Sequence, residues 1–213
     1  MVNTGRTMLV ALSAALVLPC LTSTASADPI PPTEMTLKVR EFSGTGCPPG
    51  PAAQIRLSLK KDHTGFTLGL GSMAAKIGPG SGEGELHKGC DLILDHDIPS
   101  SHTFALKPVT YTVRGQLRTG TTATLWVRTF FTGDQGIPTR TEKLSGPFTG
   151  LRQLPPADTE LRYNPCGEDR LIRIQTNLLV DAPDKSRRNF LELPNDDLYE
   201  FAWKECPDPR RSS

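Results

Sequence analysis

The sequence has no excess of charge of either sign. Its 24 lysines and arginines stand against 23 aspartates and glutamates, and no basic block breaks the balance. Nucleic acid and anionic membrane surfaces are bound through clustered Lys and Arg, so neither is expected as a partner. Aromatic residues are sparse, at 6% of the chain. No long stretch keeps a helical period, which points away from a helical architecture. Motifs for the common chemistries are missing as well: there is no G-x-S-x-G, no H-E-x-x-H, no G-x-x-x-x-G-K-[ST] and no EF-hand loop. The run "GPGSGEGE" at Gly78–Glu85 is rich in glycine, but no lysine follows it and no helix opens after it. It reads as a flexible turn rather than a phosphate cradle.

Long apolar runs are also lacking. The longest, "MLVALSAALVL" from Met8 to Leu18, has 11 residues, where a membrane span needs about 20. Arg6 precedes it, and small residues ending in "ASA" at Ala25–Ala27 follow it. That order is the order of a secretory signal peptide, with cleavage expected after Ala27. A lipidated Cys20 is the rival reading, but Leu18 and Pro19 stand where small residues are wanted. The expected product is a secreted, extracellular monomer with no membrane attachment and no cofactor. It forms a single β-sandwich domain over residues 28–213 with short irregular termini. Loss of Arg6 leaves it 23 basic and 23 acidic residues.

Cysteine use agrees with export. Removal of Cys20 leaves Cys47, Cys90, Cys166 and Cys206. Four cysteines in an oxidising compartment read as two disulfides, with three connectivities open. Two cysteines fall in each half of the chain, which favours Cys47–Cys90 and Cys166–Cys206. Each bridge closes a loop of about forty residues, worth about 4 kcal/mol in the chain-entropy model. A four-cysteine zinc site is disfavoured, because no C-x-x-C pair exists.

Alternation of apolar and polar residues recurs throughout. It runs through Gln54–Leu59, through Phe66, Leu68 and Leu70, and through Cys90, Leu92 and Leu94. Val109, Tyr111, Val113 and Leu117 keep the same phase, as do Ile172, Ile174, Leu178 and Val180, and near the end Tyr199, Phe201 and Trp203. Period two with glycine and proline punctuation means half-buried antiparallel strands. Eight to ten short strands without intervening helices predict an all-β fold, a two-sheet antiparallel sandwich. The polar segment from Asp181 to Asp197 is read as a long loop.

A set of these features, in order, carries a resemblance. "GTGCPPG" at residues 44–50 is followed by "AAKIGPGSG" and "KGCDLIL", then by "YTVRGQLRTGTTATL", "NPCG" and a closing Trp-x-x-Cys at Trp203–Cys206. In this order the chain resembles the secreted domain-of-unknown-function family 4360, from about Cys47 to Cys206. The resemblance implies an exported β-domain with paired cysteines, and it supplies no activity, substrate or catalytic residue. The segment from Asp181 to Asp197 is longer and more charged than the family pattern.

Two groups of residues merit weighing for function. His87, His96 and His102 lie among Asp91, Asp95 and Asp97. With Leu92 and Leu94 inward, His96 points in and the three aspartates point out, so they cannot share one ion, and no metal site is expected. The second group surrounds Trp126. Ala123, Leu125, Val127 and Phe131 share the core-facing parity, whereas Trp126 shares the other with Arg128 and Phe130. A tryptophan on a polar strand face is either covered or used. Cover is available from Phe190 and Leu191 of the 181–197 segment, from Arg128, or from burial of both strand faces. Use makes Trp126, Arg128 and Phe130 a ligand-binding platform. The first functional reading is a non-catalytic extracellular module that binds a surface polymer or a protein, or serves structurally. A secreted hydrolase of polysaccharide or cell-wall material is the alternative, with no catalytic residue nominated. A protease inhibitor presenting "GTGCPPG" ranks third.

Overall fold

Alternating side chains force these segments into strands, because only a pleated backbone sends neighbours to opposite faces. The computed structural model describes residues 29–50, 54–71, 73–194 and 196–207. The expected signal peptide lies outside the described residues. The strands are β1 (Thr36–Ser43), β2 (Arg56–Leu59), β3 (Gly65–Gly69), β4 (Ala74–Ile77), β5 (His87–Asp97), β6 (His102–Leu106) and β7 (Tyr111–Leu117). They continue with β8 (Thr122–Phe131), β9 (Arg140–Ser145), β10 (Phe148–Leu154), β11 (Ile172–Asp181), β12 (Asn189–Glu192) and β13 (Asp197–Glu205). One 3₁₀ turn, Glu83–Glu85, precedes β5.

The hydrogen-bonded sheets number three rather than the expected two. A five-stranded sheet has the order β1-β5-β11-β8-β9, and two four-stranded sheets have the orders β10-β7-β12-β4 and β2-β3-β13-β6. All pairings are antiparallel. The two smaller sheets are one layer interrupted across its middle. Glu192 lies opposite Ala74 and Asp197 opposite Leu68, so one strand advances a single residue further than the other across the break. The Leu193 amide still donates to the Met73 carbonyl there, at 3.1 Å. The neighbouring pair behaves alike: Phe190 faces Gln116 and Phe201 faces Leu106, again one residue out of step. The buried parity accordingly flips from Phe66 and Leu68 to Met73, Ala75 and Ile77, as at a β-bulge. Gly71 at φ 71° takes the left-handed turn in the break. Pro194 and Pro108 sit in the other two breaks, where a missing N–H costs no ladder bond.

Side chains from all three sheets form one continuous core, including Phe66, Leu92, Phe104, Val113, Leu125, Ile174, Leu191 and Phe201. The in-phase residues at Ile172, Ile174, Leu178, Val180, Tyr199, Phe201 and Trp203 are all buried, as their parity requires. Buried Trp203 donates its indole N–H to the His63 carbonyl at 2.9 Å, so its polar edge is satisfied. The segment from Asp181 to Asp197 departs from the expected long loop. It contains β12, a central strand of the second layer, whose four residues are too few to show a period.

Both disulfides have the predicted partners, Cys47–Cys90 and Cys166–Cys206, with Cα separations of 5.3 and 5.8 Å. The loop "GTGCPPG" is thereby tied to β5. The Gly46 amide also donates to the Gly89 carbonyl at 2.8 Å, and the Gly89 amide to the Thr45 hydroxyl at 3.2 Å. Gly44, at φ 129°, lies so near β5 that a Cβ there would sit 2.1 Å from the Gly89 carbonyl oxygen. Cys47 and Cys90 are buried, whereas Cys166 is exposed.

The difference in exposure sets the order of reduction, because exchange needs access to a sulfur. Under native conditions a low concentration of dithiothreitol should open Cys166–Cys206 first, read by alkylation and peptide mapping. Replacing Cys47 and Cys90 together by serine should lower the unfolding free energy by about 4 kcal/mol in urea titrations. A mapped bridge from Cys47 to Cys166 or Cys206 would overturn the pairing.

Candidate functional site

The outer face of the five-stranded sheet is set by the parity of β8. Ala123, Leu125, Val127 and Phe131 are buried, so Trp126, Arg128 and Phe130 project from the opposite face. All three are half-buried. Trp126 has Asn177 of β11 on one side and Thr141 of β9 on the other. Arg128 lies beside Gln175, and Phe130 beside Arg173.

Leu179 and Ile93 also project from this face, and its polar side chains bond to one another. His87 donates from Nε2 to the Asn177 amide oxygen at 3.2 Å. Asp91 accepts from Arg173 Nε at 2.8 Å and Gln175 Nε2 at 3.0 Å, with a second bond from Arg173 Nη2. These bonds hold the Asp91 carboxyl below the usual carboxylate range, Arg173 contributing most, against the opposing effect of burial. Arg128 places its guanidinium over the Phe130 ring, 5.4 Å from the centroid.

Of the covers expected for Trp126, two are used elsewhere. Leu191 is fully buried on β12, and Phe190 of the same strand lies under Arg188 at 5.5 Å. Both serve the other layer. Arg128 stacks on Phe130 and not on Trp126. The outer face of β8 is not a second core, since its residues are half-buried rather than buried.

Where the second layer breaks between β6 and β7, a cleft of about 220 Å³ opens against the end of β8. Phe130 lines it together with Val109, Tyr111, Val127, Phe131 and Arg140. The cleft exists because β9 stops pairing with β8 at Val127, leaving Arg128–Phe131 without a neighbour on that side. Arg140 braces the opening. Its Nη1 donates to the Val109 carbonyl at 2.6 Å, its Nη2 to the Pro155 carbonyl at 2.5 Å, and its cation lies 5.1 Å from the Tyr111 ring. Of the two carboxylates in the lining, Asp134 is already held by Arg170 at 3.0 Å and by the Phe131 amide at 3.2 Å, and Glu160 is exposed.

Beneath the cleft lies a polar cluster that sequence reasoning missed. The Tyr111 and Tyr199 hydroxyls are 3.2 Å apart, and Asp197 is buried beside them. Burial pushes the Asp197 carboxyl up to about 7, helped by Asp196 and opposed by the Thr112 amide and by Arg140. The signal was available: Asp197 continues the parity of Tyr199, Phe201 and Trp203 and so had to point inward.

The histidines and aspartates of β5 are arranged as their parity predicts. His96 is buried, donating from Nε2 to the Arg170 carbonyl at 2.8 Å, and desolvation lowers its pKa. Asp91, Asp95 and Asp97 lie on the other face of the strand. Among the described residues no group of three or more His, Cys, Asp or Glu is placed to hold a metal ion.

The profile of the family described as domain of unknown function (DUF4360) matches residues 33–206. The chain belongs to the DUF4360 family. It is similar to an uncharacterized secreted protein of Arthroderma benhamiae, with 24% identity over 172 residues covering 78% of this chain and 69% of the relative. Among solved structures it is similar to the carbohydrate-binding module TmCBM61, solved in complex with β-1,4-galactotriose. That likeness has a TM-score of 0.24 and 9% identity, over 83% of this chain and 92% of the other. At that score it carries no argument about this DUF4360 chain. Among the described residues no helix is long and apolar enough to cross a membrane.

Asp197 makes the stability of the protein pH-dependent. Its carboxyl titrates near 7 when folded and near 3.8 when unfolded, so the native state binds the extra proton between those values. The contribution is fully present below about pH 4 and is lost as pH rises through 7. Relative to Asp197→Asn, the wild-type chain should therefore lose stability between pH 5 and pH 8, by at most about 3 kcal/mol. Parallel urea titrations of the two proteins measure it; identical pH profiles would refute the raised value.

Proposed function

We propose that this protein is a non-catalytic extracellular binding module, and that its ligand is a surface polymer lying across the outer face of the five-stranded sheet. One observation carries the reading: on the outer face of β8 the half-buried indole of Trp126 stands with Phe130 among the hydrogen-bonding side chains of Arg128, Asn177 and Thr141. A partly exposed aromatic face gains free energy when a ligand packs against it. The residues beside it supply hydrogen-bonding groups on rigid strands, which suits recognition with little ordering cost. Export is supported by the signal-like N-terminus, the two disulfides and the secreted relative. The stitching of residues 44–50 to β5 favours a structural role for "GTGCPPG" over presentation to a protease.

Trp126→Ala decides the matter. In a panel of soluble polysaccharides the wild-type protein should bind at least one without releasing sugar. The variant should lose that binding at least about tenfold, with a stability loss of only about 1–2 kcal/mol, below the 3–5 typical of a buried tryptophan. Undiminished binding by the variant, or sugar release by the wild type, would overturn the reading.

A further inference from the structure

Arg128 and Lys143, two cations on the outer face, bear on the charge of what lies there. Among the described residues neither has an acidic partner, whereas Asp91 holds Arg173 and Asp95 holds Lys38. Arg128 is fixed against the Phe130 ring, and its Nε is enclosed by protein without a hydrogen-bond partner. Gln175 is its neighbour on β11, and on its other side β9 no longer pairs. Lys143 is exposed on β9 opposite Thr124, one step diagonally from Trp126. Trp126 thus sits between an unpaired guanidinium about 7 Å along its own strand and an unpaired ammonium on the next. The acid of the Arg128 row, Asp91, lies two strands away on β5 and is committed to Arg173 and Gln175.

A guanidinium set over a ring, with its Nε enclosed, no acid in reach and its terminal nitrogens unbonded among the described residues, presents those nitrogens to an oxyanion. The planar fork matches a carboxylate or a sulfate, and charge assistance makes such bonds about twice as strong as neutral ones. We propose that the polymer bound at this face is an acidic polysaccharide, with its carboxylate or sulfate on Arg128 and a sugar ring against Trp126. The proposal rests on the outer face being the binding surface. Two cations in a chain with balanced charge make local ion pairs; they do not make the extended basic track that holds nucleic acid.

Calorimetric titration separates the possibilities. The probes are an oligogalacturonate, the same oligomer fully methyl-esterified, a sulfated dextran oligomer and a single-stranded DNA of equal charge. The acid forms should bind at least about tenfold more tightly than the ester, and the gap should narrow as salt screens the pairs. Preference between uronate and sulfate identifies the source of the oxyanion. Arg128→Gln should remove most of the gap, and exposed Lys143→Gln part of it without touching the core. Trp126→Ala should weaken the acid and the ester alike. Equal, Trp126-dependent affinity for acid and ester would overturn the charge assignment while leaving the binding surface standing. Binding of the acid that neither cation variant alters, or DNA binding as tight as that of the uronate, would also overturn it. Binding of none of the four would overturn the charge assignment, while the binding surface stands or falls on the polysaccharide panel and its Trp126→Ala variant.

Discussion

The strict two-residue alternation along β5, β11 and β8 is the constraint from which the remaining structure follows. Leu92, Leu94, Ile172, Ile174, Leu178, Leu125 and Val127 all reach one face of the central sheet, and that face must be covered. The second layer covers it with three extended segments, each broken near its middle. A sheet that wraps a twisted partner needs such interruptions, since bulges raise local twist and re-aim side chains. The same break leaves the cleft beside β8, and the same alternation puts Trp126, Arg128 and Phe130 outside. A one-residue slip of β8 would bury Arg128 and expose Leu125 and Val127 together. The pairing of ten β8 residues with β11 guards against it.

The disulfides act where the core is thin. Hydrophobic residues make up 37% of the chain, and glycine and proline contribute 19 each. Such a composition gives many turns and few buried methyl groups per residue. Cys47–Cys90 joins the end of β1 to β5 from inside and fixes a loop that glycine alone would leave free. Cys166–Cys206 anchors the long connection before β11 to the end of β13, far from the packed centre. Both act on the unfolded chain at least as much as on the folded one.

Much of this was legible from period and parity. The inward sets on β5, β7, β8, β11 and β13 are the ones the alternation marks, and the cysteine partners follow from their placement. What escaped was of two kinds. Short strands such as β4, β6 and β12 have four or five residues, too few to show a period, and their existence depends on partners far along the chain. The split of the second layer is a matter of register between distant segments, which no local pattern encodes. Asp197 is a different case, because its parity was readable and its polarity hid it. On the outer face the sequence marked Trp126, Arg128 and Phe130. It did not mark their neighbours Asn177, Gln175 and Thr141, which only pairing across strands brings alongside.

A balanced charge shapes how the proposed binding face would work. With 24 basic and 23 acidic residues there is little long-range field to draw in a charged polymer, so encounter rates belong to the unsteered range. Discrimination then depends on how long a ligand stays, and that is governed by contacts made at close range. A rigid indole on a sheet contributes area with little entropy loss, and an arginine already stacked on Phe130 has little rotamer freedom left to lose. Both features lengthen residence without increasing attraction at a distance. A cation placed on a flexible loop would lose more entropy on each binding event. On the proposed reading, the placement of Arg128 on the same strand face as Trp126, next to the open end of β8, combines a chain of balanced charge with a selective face.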